Sequence, residues 1–472
     1  MQITRVDAKI QKTLEIFFRL HSPLPQIIQA IAQHNCTAYL VGGAVRDLLL
    51  ERALIDIDIE VHGLTMEQLE VVLRPFGIIN VVGKAYGVLR LERMPIDWSI
   101  PRSDEQGRKP HVHVDPTMGF EAAARRRDVT MNALGINLHT YQLHDPFGGI
   151  EDMRNGRLRA CDAHTFVEDP LRFFRVMQFV GRFSMQPDDE LNSICTTMDI
   201  SAVSRERIEQ ECKKLFLLSQ EPSRGLRWVM AIGRMQEFLP ELAALVEIEQ
   251  DPRWHPEGDV FEHTMQAVDA AAVLNYESEQ EKLIGIYAAL CHDLGKVTTT
   301  EIKEGAITSY GHEIESARLA KQMLKRITHH AQLIDAVVLL VRQHMMPGQL
   351  IKQESGDAAF KRLAIKLAPA VSLRQLALLA LADTRGRNGR SHAPLTEDMP
   401  VVDEFVSRVK QLGIYEMPEP PLITGKDLLE IVEPGPELGK LVKELYALQI
   451  NEGISDKEML LSHARAMVGK KE

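Results

Sequence analysis

The stretch Ile55-Asp56-Ile57-Asp58-Ile59-Glu60-Val61 decides how this chain is read. Its isoleucines alternate with acids, the period of a strand that buries one face and presents the other. Asp56 and Asp58 therefore project from the same face, roughly 6–7 Å apart along the strand. Two carboxylates so placed repel one another unless cations lie between them. A pair of divalent ions about 3.5–4 Å apart is the usual answer where a phosphoryl group is transferred. A lone Asp-x-Asp on a solvated strand would need no such explanation. Here Ile55, Ile57 and Ile59 bury the opposite face and so decide where the acids point. Asp97, on a later strand Ile96–Ile100, could complete a triad of carboxylates, although a lone strand Asp is more often just an edge charge.

Outward from this strand the sequence reads as a mixed sheet. Ala38–Val41, Ile78–Val82 and Gly87–Glu92 are short and β-branched or alternating, with helical stretches among them. From about Phe166 onward the apolar period becomes helical and stays so, punctuated by Pro and Gly clusters at Asp251–Asp259, Thr384–Pro394 and Met417–Pro421. The expected class is α+β: a small mixed-sheet head over residues 1–150, followed by helical domains over 151–250, 251–390 and 391–472.

Three further segments carry chemistry. Tyr39-Leu40-Val41-Gly42-Gly43-Ala44-Val45-Arg46-Asp47 reads as a strand, a Gly-Gly turn and a helix start. Such a turn lets the backbone approach a ligand, and free N–H groups at a helix start attract phosphate. Plain turn chemistry would also explain the glycines. Arg125-Arg126-Arg127-Asp128-Val129-Thr130-Met131-Asn132 offers planar donors to phosphate or ribose oxygens, although a bare charge run is more often a solvated helix face. Glu168-Asp169-Pro170-Leu171-Arg172-Phe173-Phe174-Arg175 starts a helix, with Asp169 as its cap, Pro170 at the first position and Phe173, Met177 and Val180 as the buried stripe.

In this order the segments closely resemble the class II tRNA nucleotidyltransferase family, which includes CCA-adding enzymes and bacterial poly(A) polymerases. The match runs from about Thr37 to Phe183. The resemblance implies a head, neck, body and tail, and template-independent addition of CCA to tRNA 3′ ends from CTP and ATP. It implies that Asp56 and Asp58 bind Mg²⁺, with Asp97 as the third carboxylate. Gly42, Gly43 and Arg46 resemble the triphosphate-binding turn. Arg127, Asp128 and Asn132 match the ribose-recognising motif, while Asp169 and Arg172, with Arg175 a turn on, match the pair that reads the base edge. Val82-Gly83-Lys84-Ala85-Tyr86-Gly87-Val88 and the tail segment Leu422–Leu428 lean toward tRNA enzymes. Pro101 departs from the family pattern in the segment leading to its mobile loop, linked to switching from C to A addition; CC-only addition, A-only addition and poly(A) synthesis are the alternative readings.

A second constellation lies downstream. His263, the pair His292-Asp293 and Asp383 occur in the order of the HD phosphohydrolase superfamily, which they resemble over about residues 255–390. Imidazole with carboxylate suits a divalent transition metal, here Ni²⁺, Mn²⁺ or Co²⁺. His312 and His344 fall between these residues and point to a second metal. The resemblance implies hydrolysis of phosphoesters such as 2′,3′-cyclic phosphates.

Composition agrees with a globular enzyme, at 45% hydrophobic and 26% charged residues in 472. The net charge of −11 argues against a nucleic-acid coat over the whole surface, while leaving room for local Lys and Arg clusters that grip RNA. Five scattered cysteines without a CxxC pair read as reduced thiols. Arg19 breaks the apolar patch Ile16–Leu20, and the longest apolar runs are too short to span a bilayer. The expectation is a cytoplasmic protein with tRNA, CTP and ATP as partners, no membrane, and an open oligomeric state.

Overall fold

The computed structural model describes residues 2–54, 57–82, 88–104, 112–303 and 305–469. It divides into two compact units, Met1–Ser204 and Arg205–Glu472. Asp56 and residues 83–87 of the tRNA-like segment lie outside the described residues.

The first unit is built on an eight-stranded sheet. Its strands in chain order are β1 (Gln2–Arg5), β2 (Thr37–Val41), β3 (Ile57–His62), β4 (Ile79–Val82), β5 (Val88–Leu91) and β6 (Ile96–Ser99). A separate hairpin, β7 (Arg102–Asp104) with β8 (Val112–Val114), follows, and β9 (Gly135–Asn137) and β10 (Gln142–Asp145) complete the sheet. The spatial order is β1-β10-β9-β2-β3-β6-β5-β4. All pairs are antiparallel except β3 with β6.

Alternation along β3 sorts the sheet into two faces. Ile57, Ile59 and Val61 join Ala38, Leu40, Leu89, Leu91, Ile96 and Trp98 in the main core. The helices Ala8–Leu20 and Leu24–Gln33 supply Leu14, Phe17, Leu24, Ile27 and Ile31 to that same core. On the other face Phe120, from the helix Phe120–Arg125, packs against Tyr39 and His144, with ring centroids 4.8 and 5.4 Å apart.

The expected strands on β2 to β6 are present. Sequence reading did not mark β1, β9 and β10. They are three or four residues long, and Gly135-Ile136-Asn137 and Gln142-Leu143-His144-Asp145 carry too little alternation or β-branching to signal a strand. They form by successive edge pairing, β9 on β2, β10 on β9 and β1 on β10.

The second unit is helical, including Val260–Ala272, Glu279–Cys291, His312–Ile327, Ala331–Gln343 and Leu373–Arg385. One hairpin, Glu301–Lys303 with Ala306–Thr308, interrupts it. The tail helices Pro436–Glu452 and Lys457–Gly469 share a small core of their own with Ile423 and Leu428. Among the described residues no helix is long and apolar enough to cross a membrane. All five cysteines are free thiols, three of them buried.

Candidate functional site

Register across the sheet assembles the acids. Val41 on β2 faces Asp58 on β3, Asp58 faces Asp97 on β6, and Asp97 faces Arg90 on β5. Direct partners share a face, so these four side chains form one row. Asp58 is exposed at the open end of that face. Asp97 accepts from Arg90 Nε at 2.6 Å, which fixes its carboxylate beside Asp58.

One step along β3, Glu60 shares the face but is buried. Its carboxylate takes a hydrogen bond from His62 Nε2 at 3.0 Å and lies 3.6 Å from Arg126 and 3.9 Å from Arg127. Burial alone would raise its pKa, but His62 and the two arginines hold it down at about 2. Glu60 thus anchors the arginine run beside the acids. Sequence reasoning passed over it, although the period of two in β3 already placed it on the acidic face.

The Gly-Gly turn joins the same assembly. Gly42 has φ +69° and ψ −136°, a backbone conformation that favours glycine, and Arg127 Nη1 packs against it where a Cβ would stand, 2.6 Å away. The helix that follows, Gly43–Leu49, presents Arg46. Arg46 donates to Asp47 at 2.9 Å and through Nη1 to Asn132 Oδ1 at 2.6 Å. Asn132 in turn donates to Asp128 at 2.9 Å, and Arg175 Nε donates to the other Asp128 oxygen at 2.5 Å. The Arg46 guanidinium also lies 4.6 Å from the centroid of Phe183, at the far end of the helix Leu171–Phe183. Turn, arginine motif and helix are therefore one hydrogen-bonded and packed unit, which no single motif disclosed.

Asp169 does cap the helix: its carboxylate accepts from the Leu171 N–H at 3.1 Å, and Pro170 already has helical dihedrals. Phe173, Met177 and Val180 are buried as the periodicity predicts. Arg172 is also buried, its guanidinium donating to the carbonyls of Thr165 and Arg126.

Asp128 offers a pH test. Burial raises its carboxyl, but Arg175, Asn132 and the Val129 N–H outweigh that and hold it at about 2. A folded pKa below the ordinary value, near 3.8, means full stabilisation above about pH 4 and loss as pH falls toward 2. At about 1.4 kcal/mol per pKa unit the contribution is about 2 kcal/mol. Urea unfolding from pH 6 to pH 2.5 should show this loss in wild type and a shallower one in Asp128→Asn. Equal slopes would mean that Asp128 is not the acid-sensitive group.

In the second unit, ring nitrogens and carboxylates converge from separate helices. His263 Nε2 stands 3.1 Å from His292 Nε2, 3.2 Å from Asp383 and 3.6 Å from Asp293. His312 Nε2 stands 3.1 Å from His344 Nε2 and 3.3 Å from Asp293 Oδ1. Asp293 thus lies between two groups, turning Oδ2 to His263 and His292 and Oδ1 to His312 and His344. Both groups have the spacing of metal-ligand sets. His292 caps the C-terminus of the helix Glu279–Cys291, and Asp293 lies in the turn just after it. A Cβ at Gly295 would stand 2.4 Å from His312 O, so the close approach of this turn requires glycine.

A common device aims the imidazoles. Nδ1 of His292, His312 and His344 each donates to the carbonyl three residues upstream, Ala289, Ser309 and Val341, at 2.7–2.8 Å. His263 Nδ1 donates to Glu257 at 2.7 Å. With Nδ1 so engaged, Nε2 is the nitrogen each ring turns inward, the one that would bind a metal. Burial, with His292 and His312 alongside, pushes His344 down to about 3 and keeps it neutral. Two imidazole nitrogens at 3.1 Å need a proton or a cation between them, and with buried carboxylates converging on them the donor set fits a metal. Lys296 at 2.7 Å from Asp293 and Arg387 at 2.7 Å from Asp383 balance the buried acids. Glu257, Lys296 and Arg387 escaped sequence reasoning, because their roles come from contacts that no helical or strand spacing encodes.

Comparison with known proteins finds a family model over each of the two regions. The poly A polymerase head domain model matches residues 38–159, and the HD domain model matches 260–384. The multifunctional CCA protein of Halorhodospira halophila is 30% identical over 427 residues, covering 86% of this chain and 94% of its own. That of Stenotrophomonas maltophilia is 32% identical over 368 residues, covering 74% and 86%. The fold is similar to the Bacillus stearothermophilus CCA-adding enzyme in complex with CTP, at TM-score 0.65 and 19% identity over 98% of this chain and 100% of that one. It is similar also to the Thermotoga maritima CCA-adding enzyme complexed with tRNA, at TM-score 0.59 and 18% identity over 99% and 100%. Both domain models imply the use of divalent metal. With a strand-built acid row in one unit, a histidine–aspartate cluster in the other and relatives that span most of its length, this chain belongs to the class II tRNA nucleotidyltransferase family, in the branch of CCA-adding enzymes that carries an HD domain.

Proposed function

We propose that this chain completes the CCA end of tRNA from CTP and ATP without a template, and that its HD cluster is a separate metal-dependent phosphohydrolase. The observation that carries the first part is the row of Asp58 and Asp97, register partners on β3 and β6, beside the network from Arg46 to Arg175. The similar solved enzymes are described with CTP, ATP and tRNA.

In this reading Asp56, Asp58 and Asp97 hold Mg²⁺, which when bound offsets the charge of the triphosphate and acidifies the attacking 3′-hydroxyl. Gly42, Gly43 and Arg46 receive the triphosphate, the glycines by close backbone approach and Arg46 by charge. Arg127, Asp128 and Asn132 take the ribose, and Arg175 keeps Asp128 ionised and aimed. Asp169 and Arg172 offer an acceptor and donors to the base edge. Wild-type protein given tRNA that ends before the CCA, with CTP and ATP, should yield complete CCA ends by sequencing. Products ending in CC would instead assign a CC-adding enzyme, and addition only onto CC-ended tRNA an A-adding one.

For the HD cluster, His263, His292, Asp293 and Asp383 hold one metal, and His312 and His344 share Asp293 to hold a second. The nitrogen-rich set suits Ni²⁺, Mn²⁺ or Co²⁺, and such ions supply Lewis acidity to water and phosphoryl oxygen. Lys296 and Arg387 steady the carboxylates and add positive charge for a phosphate.

A further inference from the structure

Of the two acids on β3, Asp58 is exposed and Glu60 is buried. The register partners of Glu60 are Tyr39 on β2 and Ser99 on β6, neither of them charged. Hiding a carboxylate there costs the fold more than an apolar side chain would, so what it is kept for is read from its partners. His62 Nε2 meets one carboxylate oxygen at 3.0 Å, and the same ring is tied at Nδ1, 2.9 Å from the Met118 carbonyl oxygen. The other oxygen faces Arg126 at 3.6 Å and Arg127 at 3.9 Å.

Arg127 is held at both tips of its fork. Nη2 faces Glu60, and Nη1 packs on Gly42 in the turn. An arginine has many rotamers to choose from, and Asp58, the next carboxylate on this face of β3, lies only about 6–7 Å along the strand from Glu60. Without the Glu60 charge, Arg127 can turn toward Asp58 or toward water. That freedom matters for selectivity. A donor held in place rejects a sugar that lacks the matching hydroxyl, because its N–H is left without an acceptor. A donor that can swing pairs elsewhere, and the penalty shrinks.

We infer that Glu60 is a positioning residue which, through Arg127, sets the preference of the nucleotidyltransferase site for ribonucleotides over deoxyribonucleotides. The inference rests on the reading of Arg127, Asp128 and Asn132 as the group that takes the ribose. Glu60 itself touches neither nucleotide nor metal in this arrangement. It acts by fixing where the guanidinium stands between the glycine turn and the acid row.

The test is incorporation of CMP and of dCMP by the full-length protein onto tRNA ending before the CCA, with CTP or dCTP varied at saturating tRNA. Glu60→Gln keeps the size of the side chain and an oxygen that accepts from His62, and removes only the charge. KM for CTP should rise about tenfold, the scale of one lost charge-assisted contact, with kcat within about threefold of wild type. KM for dCTP should change by less than about twofold, so the preference for CTP narrows about tenfold. A side chain that only stabilised the fold would move both KM values together or neither. Arg127→Ala should narrow the preference at least as far, and adding Glu60→Gln to it should change nothing more, since both act through one guanidinium. If Arg127→Ala keeps the wild-type preference, the ribose reading of Arg127 fails and the inference with it. If Arg127→Ala narrows the preference and Glu60→Gln does not, the ribose reading stands and the positioning role is overturned. Effects that multiply in the double variant, or an equal rise of both KM values in Glu60→Gln, overturn it as well. Should Glu60→Gln not fold, Glu60→Asp, which draws the carboxylate back from the arginines, is read in the same assay. It too should narrow the preference, and a wild-type preference there overturns the inference.

Discussion

Asp58→Ala should lower incorporation of CMP into tRNA by about a thousandfold or more while leaving thermal stability unchanged or slightly raised. Asp58 stands in the row between Val41 and Asp97, on parallel neighbours β3 and β6 whose strands lie about 4.8 Å apart. Its side chain is exposed, and its register partner is another carboxylate. Removing an exposed side chain opens no cavity. What is lost is a ligand for ions that steady charge during nucleotidyl transfer. A few kcal/mol of such stabilisation corresponds to roughly three powers of ten in rate. Single-turnover incorporation of labelled CTP into tRNA ending before the CCA, alongside a melting curve, separates the two effects. Turnover within tenfold of wild type would take Asp58 out of the chemistry. Asp97→Ala should be less clean, since Arg90 loses its partner at the same time.

The second large effect is expected at Asp293. Asp293→Asn keeps the shape of the side chain but replaces an ionised bridge by a neutral amide. Both nitrogen groups, His263 with His292 and His312 with His344, turn toward its two oxygens. The carboxylate is buried; burial raises its pKa, yet His292 and Lys296 outweigh that and hold it well below the ordinary range. Losing that charge should abolish high-affinity Mn²⁺ or Ni²⁺ binding by calorimetry and cut phosphoester turnover by about a hundredfold or more. CCA addition should be unaffected. His344→Ala, by contrast, should reduce the bound metal from two ions to one and leave the His263–His292 half able to bind. Unchanged stoichiometry in both variants would remove the shared-carboxylate assignment.

Much of the head was legible because its signals are local. The alternation through Ile57, Asp58 and Ile59 needs only the period of a strand, and Phe173, Met177 and Val180 need only that of a helix. Gly42 was legible as a turn, but the reason for glycine there was not. That reason is the φ of +69° the turn takes, with Arg127, distant in sequence, packed against it by the fold. The short strands β1, β9 and β10 carry no periodic signal and exist because a neighbour's edge accepts them.

The sequence by itself determined which residue types are on hand for a phosphate or a metal: the acids of β3, the arginine run before Asp128, and the order of His263, His292, Asp293 and Asp383. Only the tertiary structure decided how they are combined. Register between parallel strands set Asp58 beside Asp97, and Asn132 joined Arg46 to Asp128. Four helix ends and a turn placed Asp293 between two pairs of histidines, with Glu257, Lys296 and Arg387 around them. The physical reason is range. Backbone periodicity is set by neighbours a few residues apart, whereas charge and hydrogen bonding act across whatever distance in sequence the packed core has closed.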